Sequence, residues 1–205
     1  MLRYAITDRR LFPGDEKDRF DALLAQAGRL ASEGVDFLQI RERDLPEREM
    51  EALALALVEA VRDRGTTRPR VLLNGPAHTA IAAGADGVHL RGGARAGDLE
   101  AVQQAFGMAG RTAPIVSVSC HTVEEARSAG LAGFDLLLFG PVFEKRVGGE
   151  VVAPGLGLQH LREASRSGLG SRLLALGGLT RENSLQCGDA GADGVAGIRM
   201  FLQAG

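Results

Sequence analysis

Short apolar runs alternate along this chain with longer stretches whose apolar residues recur every three or four positions. The runs are residues 2–7, 37–41, 71–74, 87–90, 115–119, 136–139, 173–176 and 194–198, eight in all. They are too short for helices and too evenly apolar for strands with one wet face, which predicts a sheet buried on both sides. Between them, residues 18–32 set Phe20, Leu23, Leu24, Ala27 and Leu30 on one face. Residues 47–64 do the same with Met50, Leu53, Leu57 and Val61, the spacing of amphipathic helices. Shorter helices are expected at 77–83, 99–107, 123–129, 158–165 and 181–190, the last with Thr180 and Asn183 as start signals. Strand and helix alternating throughout predict a parallel sheet with right-handed crossovers.

A repeat decides how that sheet is arranged. Gly34-Val35-Asp36, Gly84-Ala85-Asp86, Gly133-Phe134-Asp135 and Gly191-Ala192-Asp193 precede the second, fourth, sixth and eighth runs. Each reads as a helix C-cap glycine followed by a tight turn into a strand. Four such double units close naturally into a (β/α)8 TIM barrel, whereas an open doubly wound sheet needs no four-fold regularity. The expectation is one barrel domain over residues 1–205, short for this architecture and therefore sparing in its loops. Hydrophobic residues make up 45% of the chain but aromatics only 4%, so aliphatic side chains must fill the core.

Charge and cysteine content narrow the function classes. The net charge is -2 and no basic stripe is present, which argues against a nucleic-acid partner. Cys120 and Cys187 lack the spacing of a zinc site or a disulfide framework. The chain opens directly on a strand-like segment, and no apolar run reaches the roughly 18 residues of a membrane span, so a cytoplasmic protein is expected.

Barrel chemistry gathers at the C-terminal ends of the strands. Strand alternation turns Gln39 and Arg41 into the barrel together, and likewise Ser117, Ser119 and His121, leaving Cys120 packed toward the helices. His121 is the best proton carrier, since imidazole titrates near neutrality; its alternative is a structural histidine. His89 points inward but deeper, which suits a structural role, and His78 and His160 fall on helix surfaces. Arg41 suits a carboxylate or phosphate, or else an ion pair with Glu42 or another barrel charge. Asn74 offers a donor and an acceptor. Gly177 and Gly178 after the seventh run, and Gly197 and Ile198 after the eighth, can present backbone N–H groups to a phosphate. The glycine- and charge-rich segment 145–150 reads as a mobile loop that carries Lys145 over a ligand.

These residues together resemble the family that contains thiamine-phosphate synthase and the thiazole tautomerase TenI. The resemblance is carried by Tyr4-Ala5-Ile6-Thr7-Asp8, Leu38-Gln39-Ile40-Arg41-Glu42-Arg43, Leu72-Leu73-Asn74, Ala85-Asp86-Gly87-Val88-His89-Leu90, Val118-Ser119-Cys120-His121 and Gly140-Pro141-Val142-Phe143. It continues through Ala175-Leu176-Gly177-Gly178-Leu179 and residues 191–198, so it spans nearly the whole chain. It implies a (β/α)8 barrel that binds a thiazole phosphate, and it suggests a dimer. The synthase branch joins that thiazole to a pyrimidine pyrophosphate with magnesium. It carries an aspartate after the asparagine of the third strand and a second one shortly after Val-His-Leu; here Gly75 and Ala94 stand in those places. Arg43 replaces the usual lysine, and Lys145 is a shifted substitute for the lysine of the sixth loop. The tautomerase branch needs no metal and is thought to use a histidine where His121 aligns.

The resemblance therefore implies a cofactor-free tautomerase. Amides of Gly177, Gly178, Gly197 and Ile198 would hold the phosphate, Arg41 with Lys145 the carboxylate, His121 would shuttle the proton, and Ser119, Gln39 and Asn74 would contact the ring. The alternatives are a synthase with magnesium regrouped around Asp98 or Glu42, and a barrel that binds the phosphate without turnover.

Overall fold

The computed structural model describes residues 1–62, 68–147, 150–167 and 170–202, with the backbone alone at 145–147, 150, 152 and 153. The chain runs β1 (Leu2–Ile6), α1 (Glu16–Ser32), β2 (Phe37–Ile40), α2 (Glu47–Arg62), β3 (Arg70–Leu73), α3 (Ala77–Ala82), β4 (Gly87–Leu90) and α4 (Ala96–Met108). It continues with β5 (Ile115–Cys120), α5 (Val123–Ala132), β6 (Leu136–Phe139), a hairpin of β7 (Lys145–Val147) and β8 (Glu150–Ala153), then α6 (Gly157–Arg166), β9 (Arg172–Leu176), α7 (Arg181–Asp189) and β10 (Gly194–Gly197). Single turns of 3-10 helix stand at Arg9–Leu11 and Arg199–Phe201. The parallel strands close as a barrel in the order β1-β10-β9-β6-β5-β4-β3-β2, with β7 and β8 paired outside it. This is the expected (β/α)8 architecture.

The repeated Gly-X-Asp units explain the closure. Each glycine has a left-handed φ (Gly34 +70°, Gly84 +73°, Gly133 +90°, Gly191 +93°), which ends the preceding helix at little steric cost. The aspartate that follows clamps the strand before it. Oδ2 of Asp36, Asp86, Asp135 and Asp193 accepts the N–H of Arg3, Val71, Val116 and Leu173 at 2.7–2.9 Å. The N–H of each aspartate returns a bond to the carbonyl of the same residue at 2.7–3.1 Å. Its own carbonyl then accepts from the next strand but one: Arg70, Ile115, Arg172 and, closing the circle, Leu2. Four carboxylates thus stitch the N-terminal rim of the barrel.

Two cores follow from strand alternation. Between sheet and helices lie Leu38, Ile40, Val71, Leu73, Val88, Val116, Val118 and Cys120, packed on Leu23, Leu30, Leu53 and Leu57. Burial pushes the Cys120 thiol up to about 12 and Cys187 to about 11, with Glu125 adding to the first, so both are packing groups. Inside the barrel sit Tyr4, Ile6, Leu72, Leu136, Leu138, Leu174 and Ala196. Among the described residues no helix is long and apolar enough to cross a membrane.

One expectation is corrected. Segment 145–150, read as a mobile loop, forms β7 and opens β8 of an antiparallel hairpin. Gly148-Gly149 between Val147 and Val151-Val152 is a hairpin signal that the charges of Lys145, Arg146 and Glu150 obscured. This insertion also accounts for the wider spacing between the third and fourth Gly-X-Asp units.

Asp86→Ala strands the Val71 N–H and removes ion pairs to Arg68 and Arg70, and should cost about 2 kcal/mol in urea unfolding. Burial alone would raise the Asp86 pKa, but Arg68, the Val71 N–H and Arg70 outweigh it and hold the carboxyl below its ordinary value. A depressed folded pKa stabilises above the unfolded pKa and is lost as pH falls, so the penalty should shrink below about pH 4. A penalty equal at pH 7 and pH 3 would show that the clamp does not depend on ionisation.

Candidate active site at the barrel mouth

The interior floor of the mouth is polar. His89, 5% exposed, shares hydrogen bonds through Nδ1 with Ser117 Oγ at 2.8 Å and through Nε2 with Ser119 Oγ at 3.0 Å. Ser117 Oγ is also 3.0 Å from the Tyr4 hydroxyl below it. Burial first, then the charges of Arg41 and Arg43, lower the His89 pKa to about 4, so it is neutral at physiological pH. This agrees with the structural role expected of it. Gln39 is 1% exposed, and its Oε1 is enclosed without a partner among the described residues. A buried acceptor with no donor is a place where a ligand or water completes the structure.

Above this floor the charge is positive. Arg41 is half-buried and has no ion pair among the described residues; burial, then Arg43, pulls its pKa below the ordinary value. The alternative partner considered for it, Glu42, is taken elsewhere. Both Glu42 oxygens accept the Arg9 N–H, at 3.2 and 3.0 Å, and Glu42 also receives the Thr7 hydroxyl at 2.6 Å and Arg9 Nη1 at 3.3 Å. Burial raises the Glu42 pKa against these bonds. Arg9 in turn grips Asp44 with both terminal nitrogens at 2.8 and 3.0 Å, which holds Asp44 down to about 2. The Thr7 hydroxyl accepts the Arg41 N–H at 2.9 Å. This network fixes the ends of β1 and β2; Asp8 and Glu42 still attract the Arg41 charge, but burial and Arg43 outweigh them. The sequence gives no sign of it, because Arg9 and Glu42 lie 33 residues apart.

The loops after β9 and β10 are adjacent because those strands pair. The N–H groups of Gly177, Gly178 and Ile198 donate to no described residue. The glycines themselves answer to a different constraint from the expected one. A Cβ on Gly177 would lie 2.6 Å from Pro141, and one on Gly178 2.6 Å from the Glu144 carbonyl oxygen. Their left-handed φ values (+93° and +65°) and their small size fit them against the segment leaving β6. Asn183 Nδ2 donates to the Gly178 carbonyl at 3.0 Å and completes a capping box with Thr180. Gly197 lies within β10, where a Cβ would meet the Met200 side chain at 3.0 Å.

His121 stands on the rim. It is exposed, with Nδ1 2.7 Å from the Gly140 carbonyl oxygen and its N–H donating to Glu125 Oε2 at 2.7 Å. Since that carbonyl can only accept, neutral His121 carries its proton on Nδ1 and presents Nε2 as a base. Its ring lies against Gly92, where a Cβ would sit 3.1 Å from Cδ2. Among the described residues no hydrogen bond joins it to the other candidates. Asn74 is half-buried and lines a cleft of about 470 Å³ with Glu42, Arg43, Gly75, Thr79 and Arg91. The side chain of Lys145 lies outside the described residues. His78 and His160 are exposed, bonded to Glu47 and the Leu156 carbonyl. A hollow of about 640 Å³ at the other end of the barrel is lined by residues such as Phe37 and Leu136, and its Asp135 is spent on the rim clamp.

This mouth does not suit a hard divalent cation. Gly75 and Ala94 supply no side-chain ligand, Asp98 caps α4 by accepting the Arg95 N–H, and Glu42 is saturated. Among the described residues no three His, Cys, Asp or Glu side chains gather. Arg43 and Arg91 line the cleft instead, where positive charge repels a metal and attracts an anion.

Comparison with known proteins bears on which anion. A family model described as "Thiamine monophosphate synthase" matches residues 3–201. "Putative thiamine-phosphate synthase 2" of Aquifex aeolicus is 33% identical over 98% of this chain and 97% of its own length. "Thiamine-phosphate synthase" of Methanoculleus marisnigri is 34% identical over 98% and 88%. Among solved structures, thiamine phosphate pyrophosphorylase from Pyrococcus furiosus superposes with a TM-score of 0.75 at 26% identity, covering 98% of this chain and 88% of its own.

The neutral His89 makes a prediction about acid stability. Its folded pKa lies below the ordinary imidazole value, so the unfolded chain binds the extra proton between about pH 6.5 and about pH 4. Stability should fall as pH drops through that window, by on the order of 3 kcal/mol. His89→Gln should flatten that part of a urea-midpoint profile; an unchanged slope would mean that other groups cause it.

Proposed function

Because the chain belongs to the thiamine monophosphate synthase family, we propose that it works on a thiazole phosphate in thiamine biosynthesis, and that its first assignment is the reaction its relatives are named for. That reaction joins the thiazole phosphate to a pyrimidine pyrophosphate with release of pyrophosphate. The observation that carries an anionic ligand at this mouth is Arg41, half-buried beside Arg43 and in no ion pair among the described residues. Burial and Arg43 outweigh the pull of Asp8 and Glu42 on this cation, so a bound anion would stabilise it. The free amides of Gly177, Gly178 and Ile198 suit the ester phosphate of the thiazole, while Arg41, Arg43 and Arg91 suit the leaving pyrophosphate. Gln39 and Ser119 face the ring between them.

A second reading, tautomerisation of a carboxylated thiazole phosphate, is favoured by one specific observation. The places that would hold magnesium carry Gly75 and Ala94 among arginines, while His121 has its Nδ1 proton anchored on a carbonyl and Nε2 ready as a base. In that reaction Arg41 would pair with the carboxylate, and His121 would take a proton from one ring position and return one to another.

Two assays separate the readings. Given both substrates, with and without magnesium, the protein should form thiamine phosphate, and Arg41→Ala should lower kcat/KM about a hundredfold. If instead it isomerises a carboxylated thiazole phosphate and forms no condensed product, the second reading replaces the first. His121→Asn should then reduce turnover about a hundred- to ten-thousandfold with ligand binding kept. Tight binding of thiazole phosphate with neither reaction would identify a binding protein.

A further inference from the structure

We infer that a one-way chain of hydrogen bonds runs from Tyr4 through Ser117 and His89 to Ser119, making the Ser119 hydroxyl a donor to an acceptor atom of the ligand. The direction follows from accounting for every hydrogen. Tyr4 is fully buried, and its hydroxyl has one partner among the described residues, Ser117 Oγ at 3.0 Å. Unless Tyr4 donates to that oxygen, its hydrogen has no acceptor. Ser117 is also fully buried and has two partners, Tyr4 and His89 Nδ1 at 2.8 Å. With Tyr4 donating, Ser117 can place its own hydrogen only on Nδ1. A neutral imidazole then carries its proton on Nε2, which donates to Ser119 Oγ at 3.0 Å. The Ser119 hydrogen is bonded to no described residue, and Ser119 is only half-buried, so it is free to donate at the mouth.

Every other arrangement strands a hydrogen in the barrel. If Ser117 donated to Tyr4, the phenol hydrogen would be orphaned. If Nδ1 carried the proton and donated to Ser117 while Tyr4 did the same, the Ser117 hydrogen would be orphaned. An imidazolium has the second defect and also faces Arg41 and Arg43. Tyr4, Ser117 and His89 are therefore positioning residues, and Ser119 is the member that touches the ligand. Its partner must offer a lone pair, as a ring nitrogen or an anionic oxygen does.

The ligand half of this inference rests on the proposed site, but the chain itself can be read without ligand. Long-range proton–nitrogen spectra of protein labelled at histidine nitrogens should show His89 protonated at Nε2 at neutral pH. Protonation at Nδ1 would overturn the inference. Ser119→Ala should retain the Nε2–H form, because the direction is set from the buried end. Ser117→Ala, in protein whose melting remains cooperative, should populate both tautomers; a single Nε2–H form there would also count against it. Titration with thiazole phosphate should give about tenfold weaker binding for Ser119→Ala, and parent-like affinity would remove Ser119 as the donor.

Discussion

The barrel depends on a carboxylate meeting a backbone N–H, repeated four times. In Asp36, Asp86, Asp135 and Asp193 one residue satisfies the first polar groups of one strand with its side chain and N–H, and those of another with its carbonyl. Strand beginnings are where backbone groups lack ladder partners and where a small barrel with few aromatic side chains has little else to hold it shut. Because the four links form a closed circle, loss of one leaves two strand starts unsatisfied. Everything at the opposite rim is placed by that circle: register fixes which residues face inward, and inward-facing residues at the strand ends form the site.

Much of this was legible in the sequence because it follows from local periodicity. The strand runs match the barrel strands to within a residue at either end, and β6 at 136–139 coincides. The Gly-X-Asp units announced the four-fold plan, although not that their aspartates were the fasteners. Alternation placed Gln39, Ser117 and Ser119 inside and Cys120 outside. What stayed hidden was long-range. Arg9 reaching Glu42 and Asp44, or Tyr4 reaching Ser117 across 113 residues, leaves no trace in spacing. The hairpin was hidden for the opposite reason: its paired Gly-Gly was visible in the sequence, but its charges resembled those of an exposed connector.

Electrostatically the mouth separates two tasks. The end of β2 turns two side chains outward into positive territory, Arg41 and Arg43, while the carboxylate between them, Glu42, turns back to serve the scaffold. Underneath, a histidine held neutral keeps the floor polar without adding charge, so that specificity there is a matter of hydrogen-bond direction. Gly75 and Ala94, standing where the synthase branch carries its aspartates, mark where this chain departs from the pattern of that branch.

Gly177 and Gly178 press so closely on Pro141 and the Glu144 backbone that neither segment can shift alone. Bonds from the N–H groups of Val142 and Phe143 to the carbonyls of Leu176 and Gly177 lock the two together. The amides of Gly177 and Gly178 and the stem of the hairpin are thus one mechanical piece. A displacement of the hairpin stem is therefore felt at those amides, and fixing either one stiffens the other.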